Sequence, residues 1–232
     1  VEPRSDGGWL IKGRDRRDGT ETAFEARHVV LAAGVLATTR LVLQMKGLYG
    51  QSRPLLSSPT LGMALCQISR LGKPLPREAY GMAQLSFSTP CGDKPWQATG
   101  GLLFGADGIS APDIIARMPL SRRSGMRLIR ALLSSLHLGL LYFPGEYSAN
   151  RIRLEREGGG ARSRLVVEGG RSPAFGRARL AALRNLTRDL RNLGLWLLPG
   201  SVDTLPSGSE VHYGGTLPMG RTTTAECELE GH

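Results

Sequence analysis

The chain has 232 residues, 41% hydrophobic and 22% charged, a composition that supports one packed domain or two small ones and excludes wholesale disorder. Thirty Lys and Arg against twenty Asp and Glu leave a formal charge of +10. The arginines are spread along the chain and aromatic residues are only 6%, so no basic run interleaved with stacking rings marks a specific nucleic-acid binder. Cys66, Cys91 and Cys227 are odd in number and far apart, which excludes a disulfide framework and a zinc-spaced cluster.

In chain order, Trp9–Lys12 and Thr20–Phe24 read as strands joined through Asp18-Gly19, a hairpin signal. His28-Val29-Val30-Leu31-Ala32-Ala33 is a continuous apolar run that predicts a strand buried on both faces. Gly34 ends it, and Leu36, Arg40, Leu41, Leu43 and Gln44 predict a helix to about Met45, stopped by Gly47. A buried strand, a glycine turn and a helix form the unit beside which open α/β sheets bind nucleotides.

From Tyr49 to Leu120 the chain is rich in proline. Strands are expected at Ala83–Ser88, Leu102–Phe104 and Ile114–Met118. Met126, Ile129, Leu133 and Leu136, spaced 3, 4 and 3, predict an amphipathic helix, and Leu138–Phe143 a buried strand after it. The uncharged run from Ala131 to Phe143 is too short to span a bilayer, so no transmembrane segment is expected. The arginines beside it leave peripheral membrane contact open.

Asn150–Glu155 and Arg164–Glu168 alternate as strands do, with Gly158-Gly159-Gly160 as the tip of their hairpin. Ser172-Pro173 reads as the start of a helix that runs to about Leu193, with Leu183, Leu186, Leu190 and Leu193 on its apolar side. The chain then reaches Ser209–Gly220, where His212 stands at the head of a loop with three glycines and Pro218. A histidine held on shaped backbone is a candidate general base near neutral pH. No G-x-S-x-G elbow accompanies it, which argues against a serine hydrolase.

The loop reads H-x-x-G-T-x-x-M-G at His212, Gly215, Thr216, Met219 and Gly220. It resembles the C-terminal signature of the glucose–methanol–choline (GMC) oxidoreductases, FAD-dependent enzymes that oxidise alcohols and sugars. Leu217-Pro218 stands where many members carry Cys-Arg. V-V-L-A-A-G and the T-T-R-L-V-L helix after it are similar to the GMC segment that returns the chain to the FAD-binding sheet. The resemblance implies FAD as cofactor, a small-molecule alcohol or sugar as substrate, Ala32, Ala33 and Gly34 at the flavin, and His212 as the base that takes the hydroxyl proton.

The expected fold class is α/β with α+β: part of a Rossmann-like FAD-binding domain over residues 1–48, a substrate domain on an antiparallel sheet with covering helices over 49–200, and a return to the FAD-binding domain over 201–232. The sequence reads as a piece cut at both ends, with the Gly-rich pyrophosphate-holding unit and the second active-site residue outside it. Such a piece is expected to hold FAD weakly and to be inactive alone. The competing reading is a non-catalytic basic domain that binds a partner or an anionic surface, supported by the +10 charge.

Overall fold

A computed structural model of the protein describes all residues except 76–82, 84, 107–114, 117, 118, 159–161, 211, 219 and 221–232. The chain is a mixture of helix and mainly antiparallel sheet and divides into two compact units, Val1–Leu56 with Asn150–Gly169 and Tyr213–His232, and Ser57–Ala149 with Gly170–His212.

In the first unit, Glu2–Pro3, Trp9–Arg14 and Glu21–Ala26 form an antiparallel sheet in which Trp9 pairs with Ala26. Gly19, at φ 77°, and the Asp15 amide bond to the Thr20 carbonyl close the expected turn. Helix α1, Val35–Met45, comes next and buries Thr39, Val42 and Leu43. It lies against strand Arg151–Arg156, whose Ile152 and Leu154 are fully buried. That strand pairs in full register with Ser163–Glu168, the expected hairpin; two of the three tip glycines, 159 and 160, lie outside the described residues. Arg40 donates to the Ser163 carbonyl at 2.7 Å and Gln44 to its hydroxyl at 2.6 Å, so the polar side of α1 is fixed to the hairpin as well.

One expectation fails here. The run His28–Ala33 is not a strand and is not buried, and Val30 is 88% exposed. A strand exists only where a neighbour takes its backbone hydrogen bonds, and a parallel one is dry only under helices on both faces. No described strand pairs with this run. The Rossmann-like sheet expected over 1–48 is therefore not formed among the described residues. Gly34 and α1, directly after the run, are as expected, and Gly47 stands at φ 63° just past the helix end.

The second unit is built on a six-stranded antiparallel sheet. Its order is Leu195–Leu197, Thr60–Gln67, Leu136–Tyr142, Ala98–Gly105 and Leu85–Pro90, with Asp203–Thr204 also paired to Thr60–Gln67. Strand alternation sends Leu61, Met63, Leu65, Leu103 and Leu141 to one face. There they join Phe143 and the buried side of α3, Phe175–Asn192. Each such leucine removed from water stabilises the unit by roughly 1.5–3 kcal/mol. Phe143 meets Phe175 and Tyr147 edge to face at centroid distances of 5.1 and 6.2 Å. Helix α2, Arg122–Leu132, caps on Ser121 and packs Ile129 against Leu136 and Ala106. The expected strand Ile114–Met118 falls mostly outside the described residues.

Both long helices depart from their sequence patterns. Leu136 begins a strand and does not continue α2, and Met126 is exposed. In α3 the buried residues are Phe175, Ala178, Ala182, Leu186 and Leu190, while Leu193 is exposed beyond the helix end. Two alanines, Ala178 and Ala182, lie on the core side, which the leucine pattern alone hides. Ser172 does not cap α3; it lies two residues before the N-cap Ala174, whose amide donates to its hydroxyl. Among the described residues no helix is long and apolar enough to cross a membrane.

Candidate active site

The first unit holds a cleft of about 340 Å³. Its walls come from two stretches far apart in sequence: Leu31, Ala32, Gly34, Val35, Thr38 and Thr39, and the segment Gly214–Leu217. Two glycines shape it. Gly34 stands at φ 81° and ψ 163°, a region open essentially to glycine alone, and it begins α1 without any side-chain cap. Gly34 and Val35, at this positive end of the helix dipole, line the cleft. Gly215 stands at φ 73°, and a Cβ there would lie 2.6 Å from Leu56 Cδ1. Only glycine satisfies both conditions.

The two walls are bonded to each other. Thr39 and Thr216, both buried, share a hydrogen bond of 2.7 Å between their hydroxyls. Thr38 accepts from the Ala33 amide at 3.2 Å, which holds the A-A-G turn against the first turn of the helix.

Of the sequence-selected residues, Ala32 and Gly34 line the cleft, and Ala33 lies between them on the exposed turn. Gly215 and Thr216 line it too; Met219 is outside the described residues. His212 is exposed and stands two residues before Gly214 in the chain. No protein family model and no curated protein matches this sequence.

A second anchor lies in the other unit, just before the histidine. Glu210 has a side chain only 3% exposed, and its Oε1 is 3.1 Å from Nη1 of Arg171 in an ion pair rather than an aligned hydrogen bond. Its other oxygen accepts from the Gly208 amide at 2.8 Å. Arg171 also donates to the Leu205 carbonyl and lies over the Phe175 ring at 5.0 Å. Residues 205–210 are thus tied down by one arginine. Sequence reading passed over this pair and over Thr39, since neither has a motif; an acid beside a histidine in a Gly-rich loop is the signal that could have drawn attention to Glu210.

The cleft is open to solvent. Its volume is at the small end of ligand clefts, roughly 300–1,000 Å³, and too little for a whole dinucleotide. Its lining carries no ionised side chain, and small residues there allow close backbone approach. Among the described residues no three His, Cys, Asp or Glu side chains group as metal ligands would.

Proposed function

We propose that these residues belong to an FAD-dependent oxidoreductase of the GMC type that oxidises the CH–OH group of an alcohol or sugar. The observation that carries the reading is the convergence of the V-V-L-A-A-G turn and the G-T of the H-x-x-G-T loop on one cleft, 177 positions apart at Thr39 and Thr216. The two stretches that carry the resemblance are joined by this packing, as the resemblance leads one to expect.

Ala32, Gly34, Gly214 and Gly215, which line the cleft, would border the ring system of a bound flavin. When bound, the flavin supplies the hydride acceptor for the alcohol carbon. His212 accepts the hydroxyl proton at an imidazole nitrogen, which requires the substrate oxygen within roughly 2.6–3.2 Å of it. The Arg171–Glu210 pair limits the motion of the segment that leads into His212, and so limits the cost of holding the base in place.

The test is spectroscopic. The protein prepared in its natural full length carries flavin absorbance that an alcohol or sugar bleaches in the absence of oxygen. A colourless full-length protein, or a flavin that no such substrate reduces, contradicts the reading.

A further inference from the structure

One end of the second unit is both apolar and basic. Strand Leu195–Leu197 pairs with the end of Thr60–Gln67, Trp196 against Cys66 and Leu195 against Gln67. The chain then turns through the short 3-10 helix Ile68–Arg70, closed by bonds from Leu71 to Ile68 and from Lys73 to Arg70. This brings Ile68, Leu71, Leu193 and Trp196 to one rim, at 57, 45, 59 and 45% exposure. Single exposed apolar residues need no account, but four large ones on adjoining turns do.

The rim is continuous with a line of arginines. At 3.6 residues per turn, Arg177, Arg184, Arg188 and Arg191 fall within about 60° of one another around α3 and extend along about 21 Å of it. All four are exposed. Arg184, Arg188 and Arg191 border a groove of about 490 Å³. Arg191 lies 5.3 Å over the ring of Trp196 and so joins the line to the rim. Residues 57–75, 119–145 and 175–200 contain eleven Lys and Arg against one acid, Asp189, whose carboxylate accepts from Arg188 at 3.2 Å.

We propose that this end of the molecule docks on an anionic phospholipid surface. Trp196, Leu193, Leu71 and Ile68 enter the interfacial layer, and the guanidinium groups of Arg184, Arg188 and Arg191 bind headgroup phosphates. The chemistry separates a bilayer from the other polyanions. Nucleic acid binds through phosphate contacts plus stacking on aromatic faces, and three of the four rim residues are aliphatic. A bilayer takes aliphatic side chains into its acyl boundary, places Trp at the headgroup level and draws Arg by its surface charge. The surface is distinct from the cleft above, and the proposal stands whether or not the redox reading does.

The test is co-sedimentation of the 232-residue chain with vesicles of phosphatidylcholine alone and of phosphatidylcholine mixed with phosphatidylglycerol. Binding is expected to the mixed vesicles only, weakening as salt rises. Combined Arg184→Gln, Arg188→Gln and Arg191→Gln should lower it about 100-fold, from about fivefold per charge near the surface, while Lys at the same positions retains it. In a chain with Trp9 and Trp96 replaced by Phe, brominated acyl chains should quench the remaining Trp196, and Ile68→Ser with Leu193→Ser should abolish the quenching. Equal binding to both vesicle types overturns the proposal. So does unquenched Trp196 on bound protein, or preferential binding of an oligonucleotide over the mixed vesicles.

Discussion

The hydroxyls of Thr39 and Thr216 meet at 2.7 Å in a buried contact that joins the first turns of α1 to the loop after the histidine. Two hydroxyls taken out of water together are satisfied by each other; either one alone is left with a desolvation cost of about 1–3 kcal/mol. Thr216→Val and Thr39→Val should each destabilise the protein by that amount. The double variant should lose less than the two single losses combined, because it leaves no orphaned hydroxyl. Urea unfolding of the four species gives the coupling energy, and strict additivity would show that the contact holds nothing together.

Gly34 and Gly215 make a paired test, since both have positive φ but differ in surroundings. Gly34→Ala meets no neighbour and costs conformational strain alone, of order 1–3 kcal/mol. Gly215→Ala adds a collision with Leu56 to the strain of a positive φ. Shortening Leu56 in a Gly215→Ala, Leu56→Ala variant should recover part of the loss. Thermal melting of the three variants reads this directly.

Removing one partner of the Arg171–Glu210 pair strands a charge at a buried site. Arg171→Ala or Glu210→Ala is expected to cost about 3–5 kcal/mol, whereas replacing both by apolar residues of similar size costs much less. Amide exchange at Gly208, whose N–H is held by Glu210, should speed up in Glu210→Ala beyond the change in global stability. Unchanged exchange there would remove the pair's role in fixing the segment before His212.

Burial, and then the contact of the Cys91 thiol 3.9 Å away, pushes the Tyr147 phenol up to about 12. Burial also pushes the Cys91 thiol up. Folded protein then keeps protons that the unfolded chain releases from about pH 8.5 for the thiol and about pH 10 for the phenol. Stability from these groups is complete below those values and is lost as pH rises towards about 12. In a spectrophotometric titration Tyr147 should ionise late, and Tyr147→Phe should remove that step. Cys91, buried, should react with a thiol reagent more slowly at neutral pH than the partly exposed Cys66.

Local periodicity made much of this architecture legible. The hairpins around Gly19 and between Arg151 and Glu168, helix α1 with its Gly34 and Gly47 limits, and the sheet strands near Leu85 and Leu102 all arise from alternation and punctuation by glycine. Three features were hidden. Val29–Leu31 has the composition of a buried strand, but composition cannot supply the neighbour that makes a strand. The core side of α3 is set by Ala178 and Ala182, and alanine is silent about direction. Thr39 with Thr216, and Arg171 with Glu210, are pairs far apart in sequence whose meeting depends on the tertiary fold. The His212 loop stood out because it combines a titratable ring with glycines, yet the residues that hold it in place carry no such mark.

The proposed chemistry rests on His212 as the proton acceptor in alcohol oxidation. The decisive measurement is anaerobic rapid mixing of the full-length flavin-loaded protein with its alcohol or sugar, beside a His212→Ala variant. The variant should keep its flavin while flavin reduction slows by roughly two to four orders of magnitude. Flavin reduction at the unaltered rate in His212→Ala would contradict that role.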